Sequence, residues 1–285
     1  VPTLTLRTLL LLVVLTTAVT TLRPRAITPP PVQQPVEQPP EPPVAPNKPH
    51  QPSSLVYRPP SAAEQDLRVQ LGLTLFTETY GIQLRVGDPT QHLNGNVGDN
   101  FPLDPDQRIR AIKLAEDFVH AYPEGLVARL VHELVFVHST YDEAGSRGGY
   151  TRCAARQVVV ALPDDRAFFR ALHTLHHELG HLLHCEAPIP AAAWTRLNDH
   201  PYFGTANDWR QHSTREDRKP RSSAFVSGYA SASLREDIAE TFEVCMWVPE
   251  ALRYLNPSSA VISKLHLLEQ SMRRLEPGFV CPALR

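Results

Sequence analysis

The 285-residue sequence carries no long run of either charge, with 28 basic against 30 acidic side chains and a formal net charge of −2. A nucleic-acid surface is therefore not expected, nor an electrostatic preference for anionic membranes. No apolar run reaches the roughly 20 residues that span a bilayer. The four cysteines, Cys153, Cys185, Cys245 and Cys281, lack the short C-x-x-C spacing of a metal cluster and are too few to make a disulfide lattice the source of stability. No internal repeat is evident.

What is abundant is proline, and it is unevenly spread: 13 of the 28 prolines lie between Pro29 and Pro60. Residues 27–60 are expected to form an extended, disordered stalk outside any packed core. Residues 61–285 remain to fold, ample for one domain with a core and a cleft. Ahead of the stalk, Arg7 is followed by an uncharged stretch from Thr8 to Leu22 containing Leu9 to Leu15, with small residues around Thr16 and Ala18. This has the form of a signal peptide over residues 1–26. An uncleaved anchor is the alternative, although the run is short and Arg23 and Arg25 lie on the wrong flank. The expectation is a secreted or extracytoplasmic protein, meeting a membrane only through this segment.

Periodicity predicts a helix over Ala62–Tyr80 with Leu67, Leu71, Leu73 and Phe76 as its apolar positions, ended by Gly81. A half-buried strand follows at Ile82–Val86, then a loop around Asn94–Asn100. A helix is predicted over Pro105–Ala121 and a strand over Leu130–Val137. Gln157–Leu162 is a β-branched run closed by Pro163, and a helix should start at Asp164 and Asp165, whose carboxylates suit an N-terminus. Its core stripe is Phe168, Leu172, Leu175, Leu179 and Leu182. After Pro188 the pattern turns helical again only at Leu234–Val248, and a last helix covers Ser258–Leu275. Strands and helices without regular alternation give an α+β class with a small mixed sheet.

His177-Glu178-Leu179-Gly180-His181 is an H-E-x-x-H motif inside the predicted Asp164 helix. Residues four apart share a helix face, so both imidazoles can reach one ion at about 2.0–2.1 Å. Glu178 is then placed to act as general base on a water made acidic by that ion. The bland alternative is a histidine-bearing helix face, since His173, His176 and His184 crowd the same stretch. A catalytic zinc takes three protein ligands and one water. Glu236, Glu240 and Glu243 share a face of the later helix and are the acidic candidates, with a solvated face as their alternative.

Together, His177–His181 and Glu236-Asp237-Ile238-Ala239-Glu240-Thr241-Phe242 resemble the gluzincin class of metallopeptidases. They are most similar to the anthrax lethal factor-like group and to bacterial zinc-binding metallopeptidases with an E-D-x-A-E signature. The resemblance covers roughly Gln157 to Val248 and is specific at the two motifs. It implies a zincin-like domain, one zinc ion, and Glu240 as third ligand through the A-E-x-F portion. The lethal factor-like group also places an oxyanion-stabilising tyrosine seven residues before its ligand glutamate. Counted from Glu240 that position is Ser233, and Tyr229 is the nearest substitute, with a packed aromatic as the alternative reading. Asp237 is expected to orient a ligand histidine.

If the strand near Val158 forms the sheet edge beside the metal helix, an extended polypeptide substrate can pair with it. Pocket residues come from loops that periodicity does not place, including the Asn198–Arg218 stretch with Tyr202, Phe203 and Trp209, so no side-chain preference is read. Four cysteines allow three pairings. A strand running from Cys153 and the helix ending at Cys185 both span roughly 30 Å, so their ends meet. That predicts Cys153 with Cys185 and Cys245 with Cys281. Two other functions fit the same motifs: an exported module that binds zinc without catalysis, and a zinc hydrolase acting on cell-wall amides.

Overall fold

Strand positions with no polar residue mark the centre of a sheet, and two such runs stand side by side here. In the computed structural model the described residues are 60–87, 103–142, 145–187, 189–212, 222–246 and 257–285. The expected signal peptide, nearly all of the stalk and the loop around Asn94–Asn100 lie outside them. Strand β2 (Glu133–Val137) and β6 (Gln157–Ala161) pair in parallel, Leu134 opposite Val158 and Phe136 opposite Val160, and every residue of both is buried. β1 (Gln83–Val86) joins β2 in parallel, and β5 (Gly149–Arg152) closes the other side antiparallel to β6. The four-stranded order is thus β1-β2-β6-β5, while β3 (Thr140–Asp142) and β4 (Gly145–Arg147) make a separate hairpin.

The strand at Val158 is therefore interior, and the edge beside the metal helix is β5. Val158, Val159 and Val160 are buried on both faces, as a central parallel strand requires. The free backbone edge falls to the shorter Gly-Tyr-Thr-Arg strand. The strand expected over Leu130–Val137 is likewise split: helix α3 (Leu126–Leu130) comes first and Glu133 begins the strand.

Leu134, Phe136, Val158 and Val160 face a single large core shared with the helices, whereas Val135, Val137 and Val159 meet Tyr150 in a small cluster on the opposite face. Helices thus gather over one face of the sheet, an α+β arrangement. Helix α1 (Ala62–Tyr80) starts in a Ser61–Glu64 capping box and stops at Gly81, whose φ of 69° suits glycine. Its core positions are Val69 and Phe76; Leu67 and Leu71 of the expected stripe point outward. Helix α2 (Pro105–His120) is capped by Asp104 with Pro105 in its first turn and packs against α1.

Helix α4 (Asp165–Glu186) is 22 residues long, about 33 Å, and Asp164 Oδ1 caps it by accepting from the Ala167 amide at 2.8 Å. Leu175, Leu179 and Leu182 are buried, while Phe168 and Leu172 only border the core. The stretch after Pro188 holds two short helices that periodicity missed, α5 (Ala191–Thr195) and α6 (Ala206–His212). Helix α7 (Leu234–Met246) crosses α4, and α8 (Ser259–Leu275) supports α7 from behind. Both expected cysteine pairs are present. Cys153–Cys185 links the β5–β6 turn to the end of α4, and Cys245–Cys281 links α7 to the segment beyond α8, with Cα atoms 6.2 and 5.4 Å apart. No helix among the described residues is long and apolar enough to cross a membrane.

Candidate metal centre

The crossing of α4 and α7 depends on Gly180. A Cβ there would lie 2.9 Å from Ala239 Cα and 3.1 Å from Phe242 Cβ, so the bare glycine lets the two backbones come close. That approach carries the glutamates of α7 to the histidines of α4. Glu236 Oε2 stands 3.2 Å from His177 Nε2 and 3.4 Å from His181 Nε2. All three residues are nearly closed from solvent, and Glu236 Oε2 has no well-aligned hydrogen-bond donor. A tetrahedral ion with bonds of about 2.0–2.1 Å would set its ligand atoms ~3.3 Å apart; both distances to Glu236 match that spacing, and the three atoms lie within 4.8 Å of one another.

Glu240 lies on the other side of the first histidine. Its Oε1 is 3.0 Å from His177 Nδ1, and its Oε2 accepts from Ser227 Oγ at 2.6 Å. Glu243 is 3.8 Å from the same Nδ1 and 3.0 Å from His173 Nδ1. His177, Glu240 and Glu243 thus form a second acidic group, but one imidazole supplies a neutral ligand at only one nitrogen. With Nε2 turned to Glu236 and His181, the Nδ1 proton is available to Glu240, the usual partner arrangement for a metal-bound histidine.

The electrostatics follow from this crowding. Burial opposes a charge on His177, yet the close carboxylates of Glu236 and Glu240 outweigh it and raise the pKa well above the ordinary histidine value. Burial likewise opposes the charge on Glu236, but the two imidazoles prevail and hold its carboxyl well below the usual range. The carboxylates draw positive charge to the point between the rings. His176, on the opposite face of α4, is a contrast: burial brings its pKa down to about 3, with His173 adding to the effect, and its neutral ring meets the Tyr122 hydroxyl at 2.7 Å.

Glu178 is buried beside the site. Thr151 Oγ1 on β5 donates to Glu178 Oε2 at 2.7 Å and is also 2.9 Å from the Glu178 carbonyl oxygen. Gly149 leaves room for it, because a Cβ there would be 2.7 Å from Val159 O and 3.1 Å from Glu178 Oε1. Tyr229 stacks on His177 with ring centroids 6.1 Å apart and an interplanar angle of 24°. Trp209 meets its edge, and Arg210 Nη1 points to its hydroxyl at 3.4 Å. Burial, then the nearby Glu236, raises the Tyr229 pKa far above that of a free phenol, so the hydroxyl keeps its proton. Two open lobes meet at Glu178 and Tyr229: one of about 570 Å³ beside Gly148 and His173, and one of about 460 Å³ beside Thr151 and His181.

Of the residues singled out from sequence, His177, Glu178, His181 and Tyr229 come together directly. Glu240 reaches only the far nitrogen of His177, and Glu236 takes the position between the imidazoles. Asp237 is not bonded to a histidine. Its Oδ2 instead accepts from Lys264 Nζ at 2.7 Å, Trp194 Nε1 at 2.8 Å and Tyr202 OH at 2.9 Å. The reason is rotational: one step round α7 from Glu236 turns the side chain towards α8 and away from α4. Tyr202 is accordingly a structural partner of Asp237. Thr151, Ser227, Arg210 and Arg235 were missed. A hairpin signal at Gly149–Gln157, where four residues connect two β-prone segments, would have brought Thr151 into view.

No curated protein and no solved structure matches the chain. A family described as "Putative zinc-binding metallo-peptidase" matches residues 157–254, about a third of the chain. That stretch begins at β6, holds all of α4 and α7, and includes every metal-site residue named above except Gly148, Gly149 and Thr151. The chain is similar to that family over this region, and the similarity supports a zinc metallopeptidase.

Proposed function

We propose that the protein is an exported zincin-like endopeptidase, in which His177, His181 and Glu236 hold one zinc ion and Glu178 is the general base. The observation that carries this reading is the convergence of His177 Nε2, His181 Nε2 and Glu236 Oε2 at 3.2 and 3.4 Å beside a buried glutamate. An ion held there supplies Lewis-acid polarisation of the scissile carbonyl and makes a water acidic enough to attack near neutral pH. Glu178, fixed by Thr151, accepts the proton of the attacking water and delivers it to the departing amine. Glu240 accepts from His177 Nδ1 and so keeps the Nε2 lone pair directed into the site.

Tyr229 donates to the oxygen that gains charge as the carbonyl becomes tetrahedral. Its retained proton and its place against His177 suit that role. The resemblance to the lethal factor-like group adds a spacing argument, because seven residues before Glu236 is Tyr229 itself. The same shift moves the third-ligand role from Glu240 to Glu236. The free edge of β5 would hold an extended polypeptide by backbone pairing, with the two lobes receiving its side chains. Location outside the cytoplasm is supported by the apolar N-terminal segment and by two paired cysteine couples.

The test compares zinc-loaded wild type with Glu178→Gln on a mixture of unstructured peptides. Wild type should cut them. The variant should keep one zinc per chain and lose hydrolysis by 10²-fold or more, the usual scale for a general base. Peptides left intact by the zinc-loaded wild type, or cut at an unchanged rate by the variant, would sink the reading and favour a module that binds zinc without catalysis.

A further inference from the structure

The two lobes of the cleft differ in charge. The lobe of about 460 Å³ is bordered by Tyr150 and Thr151 of β5, Thr205 ahead of α6, Arg210, and Ser233 and Arg235 at the start of α7. Among the described residues that line it, the carboxylates are Glu178 and Glu236, both engaged in the metal chemistry proposed above. Arg210 borders both lobes, whereas Arg235 borders this one alone, in the first turn of α7 at the positive end of that helix. Arg235 is exposed, and its Nε lies 3.3 Å from His181 Nδ1. Among the described residues no carboxylate pairs with Arg235, and the residue lines the lobe. The lobe of about 570 Å³ shares Glu178 and Arg210 with the first and adds Glu240 and Glu243 beside Arg170 and His173, so its added carboxylates offset its added guanidinium.

A guanidinium with two parallel donors matches a carboxylate better than any other peptide group. Direction follows from β5. A peptide adding to its free edge in the antiparallel sense, the more stable one per residue, runs with its N-terminal half along Thr151 and its C-terminal half along Gly148. We propose that Arg235 selects substrates with an aspartate or glutamate within about three residues on the N-terminal side of the cleaved bond. This rests on the peptidase reading and names the substrate class for the same cleft.

The test digests a peptide library, randomised on both sides, with zinc-loaded wild type and sequences the products by mass spectrometry. Asp and Glu should be enriched before the cut and not after it. In a matched pair, the glutamate peptide should exceed its glutamine counterpart in kcat/KM by on the order of tenfold, as for a charged hydrogen bond, and the margin should shrink as salt is raised. Arg235→Glu should move the enrichment to Lys and Arg, and Arg235→Lys should retain a weaker acidic preference. Zinc content is measured in each variant, because Arg235 touches His181. If a variant loses its metal, the wild-type glutamate and glutamine pair at two salt concentrations decides alone. Cleavage without acidic enrichment, enrichment only after the cut, or an unchanged profile in zinc-loaded Arg235→Glu would overturn the inference and leave the peptidase reading standing. No cleavage at all would bring down that reading, and this one with it.

Discussion

Glu236 and Glu240 sit one turn apart on α7, and only one of them can complete a tetrahedron with the two histidines. The glutamate between two Nε2 atoms has no substitute, whereas the one on Nδ1 acts through His177. Glu236→Ala should therefore purify without stoichiometric zinc, while Glu240→Ala keeps the ion with affinity lowered by about 10–100-fold, the usual cost of losing such a supporting carboxylate. Metal analysis after dialysis against graded zinc buffers separates them, and the opposite order would return the ligand role to Glu240. The sequence made the three glutamates of one face legible, along with the histidine pair and Glu178, since all of these follow from helical spacing alone. It could not rank Glu236 above Glu240, because that choice depends on how α7 is rotated and how closely it crosses α4. Asp237 shows the same gap: its partners, Lys264, Trp194 and Tyr202, are distant in sequence, and no local pattern points to them.

The starts of the long helices lie close to where periodicity puts them, and local capping fixes them there: Ser61, Asp104, Asp164 and Ser258 each cap the helix that follows. The sheet edge was not readable, because β5 has only four residues and its identity as an edge comes from pairing with β6. Nor could spacing assign a purpose to Gly180. On an exposed helix, Gly→Ala would stabilise by up to about 1 kcal/mol. Here the added Cβ would meet a backbone atom, Ala239 Cα, at 2.9 Å, and backbone cannot yield as a flexible side chain can. Overpacking of that kind costs about 1–3 kcal/mol, so the sign reverses. Gly180→Ala should lower the urea midpoint and, since α7 must move outward with Glu236, weaken zinc binding in the same protein. A variant as stable as wild type with unaltered zinc affinity would show that the helices do not need this contact.

At the scale of the whole domain, the ion would add one more link at the crossing where α4 already packs closely on α7. Its ligands come from α4, which lies along the sheet, and from α7, which is held to α8 by the buried Asp237–Lys264 pair and to the C-terminal segment by Cys245–Cys281. Only the folded chain brings these ligands together, so zinc should bind the native state and add its binding free energy to stability. With free zinc at about 100 times its Kd the gain is about 2.7 kcal/mol. For a folded region of this size each kcal/mol moves the melting temperature by about 2–4 °C. Chelation should thus lower the wild-type Tm by about 5–10 °C while leaving both disulfides intact. Glu236→Ala, already short of metal, should show almost no shift under the same treatment, and Glu178→Gln should shift like wild type because its ligands are untouched. A wild type indifferent to chelation, or a Glu236→Ala variant that responds as strongly, would mean that the ion is not held at this crossing.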